Sequence, residues 1–297
     1  MHIVNRASSH DVALETTLLV HGVPRDASMA LHRELTGTVR AHSVNAALVG
    51  VVGGAPTVGM TDEELATLLG AGAVAKLNTS NLGVHLHRGA HGATTVSATM
   101  ELASAAGVRV FATGGIGGVH TGYGTHLDIS SDLAAFTRFP VAVVSSGVKS
   151  ILDVSSTREA METLGVPVVG YRTDAFPSFY SRSSDQTVDA RFDDADDLAD
   201  FARTELERTG RGILIANPIP EADEIPADEF DAWREQAEDS ARDAEGRDVT
   251  PAVLANLHEI SGGRTLAANI ALVKSNADLA ARIARRMWEV EMAGAMV

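Results

Sequence analysis

Short apolar segments that alternate with amphipathic segments are the feature that most limits how this chain can fold. The intervening segments repeat apolar residues at helical spacing. Strands that alternate with helices favour a mainly parallel sheet covered by helices on both faces. We therefore predict a three-layer α/β/α fold with a mainly parallel central sheet. The predicted strands lie at 12–23, 46–60 (a hairpin of two strands), 108–113, 140–148 and 166–171.

The rest of the chain fits one domain. Thr61 and Glu64 have the spacing of a capping box at the start of a helix. Segments 193–210 and 221–246 are acidic and helical, with a strand predicted between them, and a long amphipathic helix is predicted near the end. We find no repeat, low-complexity tract or linker, so residues 1–297 are predicted to form a single domain.

Composition excludes several classes of protein. The chain has no cysteine, so a disulfide scaffold, a cysteine nucleophile and a thiolate metal site are excluded. A net charge of −15 argues against general binding to nucleic acids, although local donors can still hold a small phosphorylated molecule. No apolar run approaches the roughly 18 residues of a membrane span, and the start lacks the apolar run of a signal peptide. We expect a cytoplasmic protein.

Lysine is rare in this sequence. Of the 24 basic residues only three are lysines, namely Lys76, Lys149 and Lys274. Arginine stays protonated at any working pH, whereas a desolvated lysine can lose its proton and act as an amine nucleophile. A lysine kept in an arginine-rich chain is therefore a candidate for such chemistry, with an ordinary surface lysine as the alternative.

Two residues follow or interrupt apolar segments. Lys149 is predicted at the end of a strand, where it either enters a cleft or faces solvent. Burial would lower the pKa of its amine and favour Schiff-base chemistry. Glu15 interrupts the apolar segment 12–23. Burial of its carboxyl group would require either a partner, as in a structural salt bridge, or a retained proton that suits a general acid.

Other motifs allow two interpretations. Gly114–Gly118 with His120 form a loop after a strand, either a tight turn or an anion site, and the loop fits neither a dinucleotide nor a Walker A fingerprint. Residues 92–95 open a helix whose N–H groups could bind an anion. In the segment 128–132, two carboxylates could bind a hard divalent cation, or Ser or Asp could cap a helix. We predict that His85, His87 and His91 lie in an exposed loop and do not form a metal site.

Over almost its whole length the chain resembles the pseudouridine-5′-phosphate glycosidase family. The resemblance rests on many blocks in the same order, which makes chance similarity very improbable. The blocks are ALETTLLVHGVP (13–24), GATTVSATM (92–100), VFATGGIGGVHTG (110–122), DISSDL (128–133), VAVVSSGVKSILD (141–153), ETLGVPVVGY (162–171), FPSFYSRSS (176–184), LIANPIPE (214–221) and ISGGRTLAANIALVKSNA (260–277).

The resemblance implies an α/β/α homotrimer that cleaves a C–C glycosidic bond with Mn²⁺. By motif, Lys149 would be the nucleophile that forms a Schiff base with C1 of the opened ribose, and Glu15 would be the proton donor. Asp128 would hold one Mn²⁺ ion per subunit, and Asn269 would lie near the base. The other predicted substrate contacts are Lys76, Thr94, Thr95, Val96, His120, Ser130, Ser131 and Asp132.

Two segments depart from the family pattern. After Lys76 the family usually has two arginines and an aspartate, but this chain has Leu77–Gly83 without them. After His120 the family usually continues with an arginine and Gly-Ala-Glu, whereas residues 121–124 here are Thr-Gly-Tyr-Gly. These changes suggest altered recognition of the base or of the phosphate.

Three functions therefore stay open. The first is reversible cleavage of pseudouridine 5′-phosphate to uracil and ribose 5-phosphate. The second is a C-glycosynthase that joins ribose 5-phosphate to a different aromatic aglycone in secondary metabolism. The third is a sugar-phosphate binding protein without catalysis. The argument against it is that a binding protein has no need for a nucleophile, an acid and a metal-binding carboxylate together.

Overall fold

The computed structural model describes residues 2–122, 124–125, 127–240 and 249–295. Its strands are β1 (Val4–Asn5), β2 (Val12–Glu15), β3 (Ala46–Val52), β4 (Ala55–Val58), β5 (Ala75–Leu77), β6 (Gly92–Thr94), β7 (Val110–Ala112), β8 (Val119–His120), β9 (Ala142–Ser145), β10 (Leu152–Asp153), β11 (Val168–Tyr171), β12 (Ala190–Phe192) and β13 (Ile213–Ala216).

The helices are α1 (Arg25–Arg40), α2 (Asp62–Gly70), α3 (Leu82–His87), α4 (Val96–Ala105), α5 (Ser131–Phe136), α6 (Val154–Thr163), α7 (Ala195–Thr209), α8 (Ala227–Ser240), α9 (Val249–Ile260) and α10 (Arg264–Ala295). A π-helical turn spans Leu18–Gly22, and a 3-10 turn spans Glu221–Asp223. None of the helices in the described ranges combines the length and apolar character needed to cross a bilayer.

The central sheet is mainly parallel, as predicted. Its strand order is β1-β4-β3-β2-β7-β9-β13-β11-β12, and β6 pairs with both β3 and β5. The strands from β3 through β2, β7, β9, β13 and β11 to β12 pair in parallel. The predicted hairpin at 46–60 is the antiparallel pair β3–β4. A separate antiparallel pair joins β8 and β10.

Each central strand alternates its side chains between two apolar layers, because successive side chains point to opposite faces of a sheet. On β2, Val12 and Leu14 pack with helices α1, α7 and α10, whereas Ala13 packs with α4, α5 and α6. Strands β9 and β13 alternate in the same way. These two cores on opposite faces of one sheet confirm the three-layer, single-domain prediction.

Two predicted strands were too long. The segment 12–23 is extended only to Glu15 and then enters the π-helical turn, where backbone groups pair locally, as the N–H of Val20 does with the carbonyl of Thr16 (2.9 Å). The segment 140–148 is extended only to Ser145. The chain turns at Gly147, whose φ of 75° is in the left-handed region that favours glycine. Lys149 therefore lies in a loop and not at a strand end.

Several local predictions are confirmed. Thr61 and Glu64 form a capping box at the start of α2, and the long terminal helix is α10. The first acidic segment contains α7 and the second contains α8, with β13 between them. Tyr123 of the glycine-rich loop and residues 241–246 of the second acidic segment lie outside the described residues.

Candidate active site

A cavity of about 400 Å³ lies at the carboxyl ends of the central parallel strands. Strand β2 ends at Glu15, the loop after its neighbour β7 supplies Gly114 and Gly115, and the loop after β9, the next strand in the sheet, supplies Lys149. Because adjacent parallel strands end at the same edge of the sheet, segments distant in sequence meet there. The side chains with polar or aromatic chemistry that line the cavity include Glu15, His21, Lys76, Lys149, Phe179 and Asn269.

Glu15 is half-buried at the end of β2 and lines this cavity. The hydroxyl of Thr113 donates a hydrogen bond to its Oε1. Burial raises the pKa of Glu15, and this effect exceeds the opposing effects of the Lys149 charge and the Thr113 hydrogen bond. Asp132 raises the pKa further. Glu15 is therefore suited to hold a proton that it can donate.

The loop that carries Lys149 is fixed by its backbone. The N–H of Lys149 donates to the carbonyl of Ile116 (3.1 Å), and the N–H of Ile116 donates to the carbonyl of Gly147 (3.0 Å). The hydroxyl of Ser150 donates to the carbonyl of Ser178 (2.6 Å). These bonds tie the loop to both neighbouring segments, while the Lys149 side chain enters the cavity.

Lys76 reaches the same cavity from β5. Burial lowers the pKa of its amine, the positive charge of Lys149 lowers it further, and Glu15 opposes both effects. His21, on the π-helical turn, also lines the cavity. Burial lowers the pKa of His21 first, and the charge of Lys76 acts in the same direction. Two amines and a carboxyl group thus share one enclosed space.

Asn269 lines the cavity from α10, and its position near the base stays a prediction. The remaining predicted substrate contacts do not line it. The hydroxyl of Thr94 is buried and donates to the carbonyl of Val49 (2.7 Å). Thr95 Oγ1 donates to the carbonyl of Leu77 (2.9 Å). Their contact with substrate, and that of Val96 and His120, stays a prediction.

The predicted segment Ser130–Asp132 forms the start of α5. Ser130 is the N-cap of this helix, and its hydroxyl accepts from the N–H of Asp132 (3.2 Å). Ser131 Oγ lies 3.0 Å from Ser97 Oγ. Both oxygens of the buried Asp132 carboxylate accept backbone N–H groups, from Ser97 (2.9 Å) and from Gly117 (2.9 Å). The carboxylate of Asp132 therefore lies at the N-terminal end of helix α4.

Asp128 presents an open carboxylate. Its side chain is 66% exposed, and its Oδ2 lies 3.8 Å from Nδ1 of His120. Within the described ranges, no three His, Cys, Asp or Glu side chains cluster to hold a metal, and this includes His85, His87 and His91. Mn²⁺ and Mg²⁺ can bind through one or two carboxylates while they keep several waters. Asp128 therefore fits a water-rich cation site and not an all-protein cage.

Several cavity residues were not predicted from the sequence. Leu18 and His21 come from the π-helical turn, Phe179 and Tyr180 from the loop after β11, and His258 from α9. The block FPSFYSRSS contains two of them, but nothing in its spacing assigns them to the cavity. His258 is half-buried, and its Nδ1 lies 2.6 Å from Thr265 Oγ1.

Comparison with known proteins agrees with this architecture. Residues 4–286 match the family model described as indigoidine synthase A like protein. The chain is 48% identical to the pseudouridine-5′-phosphate glycosidase of Nocardioides sp. over 92% of this chain and 90% of that one. It is 50% identical to the glycosidase of the same name from Methylobacterium nodulans, over 92% and 82%.

Two solved structures have the same fold. An indigoidine synthase A-like protein from Thermotoga maritima superposes with a TM-score of 0.88 at 38% identity, covering 95% of each chain. The prealnumycin C-glycosynthase, solved in complex with ribulose 5-phosphate, superposes with a TM-score of 0.89 at 32% identity, covering 99% of this chain and 100% of that one. The chain described here belongs to the indigoidine synthase A-like family, and within it to the pseudouridine-5′-phosphate glycosidases.

Proposed function

We propose that this protein is an enzyme that reversibly cleaves the C–C glycosidic bond of pseudouridine 5′-phosphate, giving uracil and ribose 5-phosphate. The observation that carries the proposal is the convergence of Glu15, Lys76 and Lys149 in one cavity of a family member. A C-glycoside has no heteroatom at the leaving position, so the usual route through two carboxylates is unsuitable. An amine that forms an iminium at C1 supplies an electron acceptor beside the bond.

The chemistry follows from these groups. The amine of Lys149 bonds to C1 while the bond from C1 to the ring oxygen breaks, and that oxygen takes up a proton. Glu15 then donates its proton to the aglycone carbon bonded to C1. The nitrogen lone pair forms the C=N bond, the C–C bond breaks, and its electrons restore the double bond of the aglycone ring. Water adds to the iminium carbon, ribose 5-phosphate leaves, and the carboxylate regains its proton.

The proton of Glu15 is central to this route. Donation of a proton by a positioned side chain typically contributes 10²–10⁴-fold to a rate. A carboxyl group whose pKa is raised by burial holds its proton closer to neutral pH than an exposed one does. Lys76, which lines the same cavity, would supply a cation for the phosphate or a sugar hydroxyl.

Asp128 would hold the Mn²⁺ ion that the family resemblance implies. Bound there, the ion would supply positive charge for oxygen atoms of the substrate or of water. The imidazole of His120, whose Nδ1 lies 3.8 Å from Asp128 Oδ2, would orient this carboxylate or act as a second ligand. The proposal extends to a homotrimer, which rests on the family resemblance.

A second candidate is the synthetic direction with a different aromatic aglycone. It is favoured by the similarity to the prealnumycin C-glycosynthase and by the two segments that depart from the family pattern. The segment after Lys76 is held by its own side chains, since Asn78 Oδ1 accepts from the backbone N–H groups of Ser80 and Asn81. The same nucleophile and acid would serve both directions.

The experiment measures turnover and the covalent adduct. With Mn²⁺ and pseudouridine 5′-phosphate, uracil should accumulate. Borohydride with ribose 5-phosphate should trap one sugar on Lys149, seen by peptide mass spectrometry. Lys149→Met should abolish both signals, while Lys274→Met should change neither, because Lys274 is exposed and pairs with Glu34. An adduct without uracil release would favour the synthase, and sugar-phosphate binding without any adduct would overturn both candidates.

A further inference from the structure

Asn276 is a fully buried residue of α10 whose side-chain amide bonds to the ends of three strands. It does not line the cavity. Strands β7, β9 and β13 are neighbours in the central sheet. The residues that directly follow these strands are Thr113, Ser146 and Asn217. Each of them forms a hydrogen bond with the amide, so one side chain joins three strands at the edge of the sheet where the cavity lies.

The hydrogen bonds use both ends of the Asn276 amide. Its Nδ2 donates to the carbonyl of Thr113 (2.8 Å) and to the hydroxyl oxygen of Ser146 (3.2 Å), while its Oδ1 accepts from Nδ2 of Asn217 (2.9 Å). A carbonyl can only accept, so the nitrogen of the amide must face Thr113. An apolar side chain of similar size would leave these buried polar groups unpaired, at a cost in free energy.

Through Thr113, the amide acts on the predicted proton donor. The carbonyl of Thr113 accepts from Asn276, and its hydroxyl donates to Glu15. The N–H of Thr113 donates to the carbonyl of Val144 in β9 (3.0 Å). Because the backbone of Thr113 is held at both its N–H and its carbonyl, its hydroxyl has a fixed direction toward the carboxyl group.

Through Ser146, the same amide acts on the loop of the predicted nucleophile. Ser146 lies three residues before Lys149. Its N–H donates to the carbonyl of Gly114 (2.9 Å), and its carbonyl accepts from the N–H of Phe179 (2.8 Å). The bond from Asn276 to its hydroxyl fixes the side chain as well. The point where this loop leaves β9 is therefore held on three sides.

We propose that Asn276 is a positioning residue, which holds the proton donor and the nucleophile at a fixed separation through Thr113 on one side and Ser146 on the other. This inference rests on the proposed function, because it assumes that Glu15 and Lys149 act on one substrate. It assigns no contact with substrate to Asn276, which acts only through its two partners.

The first test compares two buried asparagines of the same network. In Asn276→Ala, kcat for uracil release and the rate of ribose 5-phosphate trapping on Lys149 should each fall about 10-fold or more, since small misplacements of reacting groups are costly. The KM should change less than about 2-fold, because the residue does not line the cavity. Asn217→Ala is the matched control, because Asn217 is buried and bonds to neither Thr113 nor Ser146. It should lower the Tm similarly but leave kcat within about 2-fold of the wild type.

The second test separates positioning from a general loss of stability. The hydroxyl of Thr113 lowers the pKa of Glu15, so the alkaline limb of kcat/KM should shift upward in Asn276→Ala. In a Thr113→Val background, Asn276→Ala should shift the limb no further, because the bond is already absent. The charged groups of the described chain that act on Glu15 are Lys149, Asp132 and Lys76. Asn276 bonds to none of these side chains.

Wild-type kcat, trapping rate and pH profile in Asn276→Ala would overturn the inference, and so would an additive shift of the limb in the double variant. Either result keeps the proposed function, provided that the wild type releases uracil and forms the adduct. If Asn276→Ala does not fold, Asn276→Asp replaces it, because a protonated carboxyl group has the same shape but one donor instead of two. Its trapping rate should fall, and a wild-type rate would overturn the inference. No turnover and no adduct in the wild type would overturn the proposed function and this inference together.

Discussion

Thr113 Oγ1 donates a hydrogen bond to Glu15 Oε1 across two adjacent parallel strands. Leu14 on β2 pairs with Ala112 on β7, so the residues that follow them, Glu15 and Thr113, lie at the same end of the sheet. The bond orients the carboxyl group and favours its ionised form, whereas burial favours the protonated form and has the larger effect. The balance between the two sets the pH range in which Glu15 can donate a proton.

Replacing Glu15 by Gln should lower activity and raise stability. We expect kcat for uracil release to fall about 10²–10⁴-fold, the usual contribution of a general acid. The pKa of Glu15 is raised in the folded state, so the wild type loses stability relative to Glu15→Gln as pH rises from 4.5 through the folded-state pKa. Thermal unfolding from pH 4 to 9 measures this difference, which should increase with pH above 4.5 and level off above the folded-state pKa. A constant difference would contradict the assignment.

Replacing Thr113 by Val should move the pH profile. The hydroxyl lowers the pKa of Glu15, so its loss should raise that pKa and keep the acid protonated to higher pH. The alkaline limb of kcat/KM should therefore shift upward. Thr57→Val is a suitable control, because Thr57 is a buried threonine on β4 whose hydroxyl donates to the Ala55 carbonyl. A downward shift in Thr113→Val would contradict the role given to Glu15.

The strand and helix pattern was readable from the sequence because it depends on local spacing. The capping box of Thr61 and Glu64, the hairpin β3–β4 and the alternation of Val12, Ala13 and Leu14 each follow from neighbours within a few residues. The sequence blocks shared with the family identified Glu15, Lys149 and Asn269, which line the cavity. Neither source fixes the exact ends of strands, because those ends depend on long-range contacts.

The missed features share that cause. The turn at Gly147 is required by the carbonyl of Pro177, which a Cβ atom would strike, and Pro177 is 30 positions away. Phe179 has a left-handed φ of 58°, and its N–H donates to the carbonyl of Ser146; neither feature can be predicted from the residue type. His258 enters the cavity only through the packing of α9. The positions of such side chains can be established only from the folded arrangement of the loops.

The amines of Lys76 and Lys149 should be coupled electrostatically. The charge of Lys149 lowers the pKa of Lys76, which burial has already lowered. Binding that needs the Lys76 ammonium should therefore weaken in the wild type at a pH below the ordinary value of 10.5. In Lys149→Met this weakening should move to higher pH. Calorimetric titration with ribose 5-phosphate from pH 7 to 10.5 measures it, with Lys274→Met as control, and identical profiles in all three proteins would refute the coupling.

Removal of Asp128 should weaken binding of Mn²⁺. Its open carboxylate is the described group that fits a hydrated cation, so Asp128→Asn should lower affinity about 10-fold or more. Electron paramagnetic resonance of free Mn²⁺ measures the affinity directly, without recourse to activity. Asp26→Asn removes an exposed carboxylate at the start of α1 and should leave the affinity unchanged. Equal affinity for Mn²⁺ in Asp128→Asn and the wild type would show that the metal binds at a different site.

Replacing Asp132 by Ala should distinguish a structural role of its carboxylate from a role in substrate binding. Its buried carboxylate accepts the N–H groups of Ser97 and Gly117, and thereby joins α4 to the glycine-rich loop. Asp132→Ala should cost about 1–3 kcal/mol for each buried N–H left without an acceptor. Urea unfolding measures this loss, with the exposed Asp196→Ala as control. Unchanged stability together with lost binding of ribose 5-phosphate would instead mean that the carboxylate contacts the substrate, as the family resemblance implied.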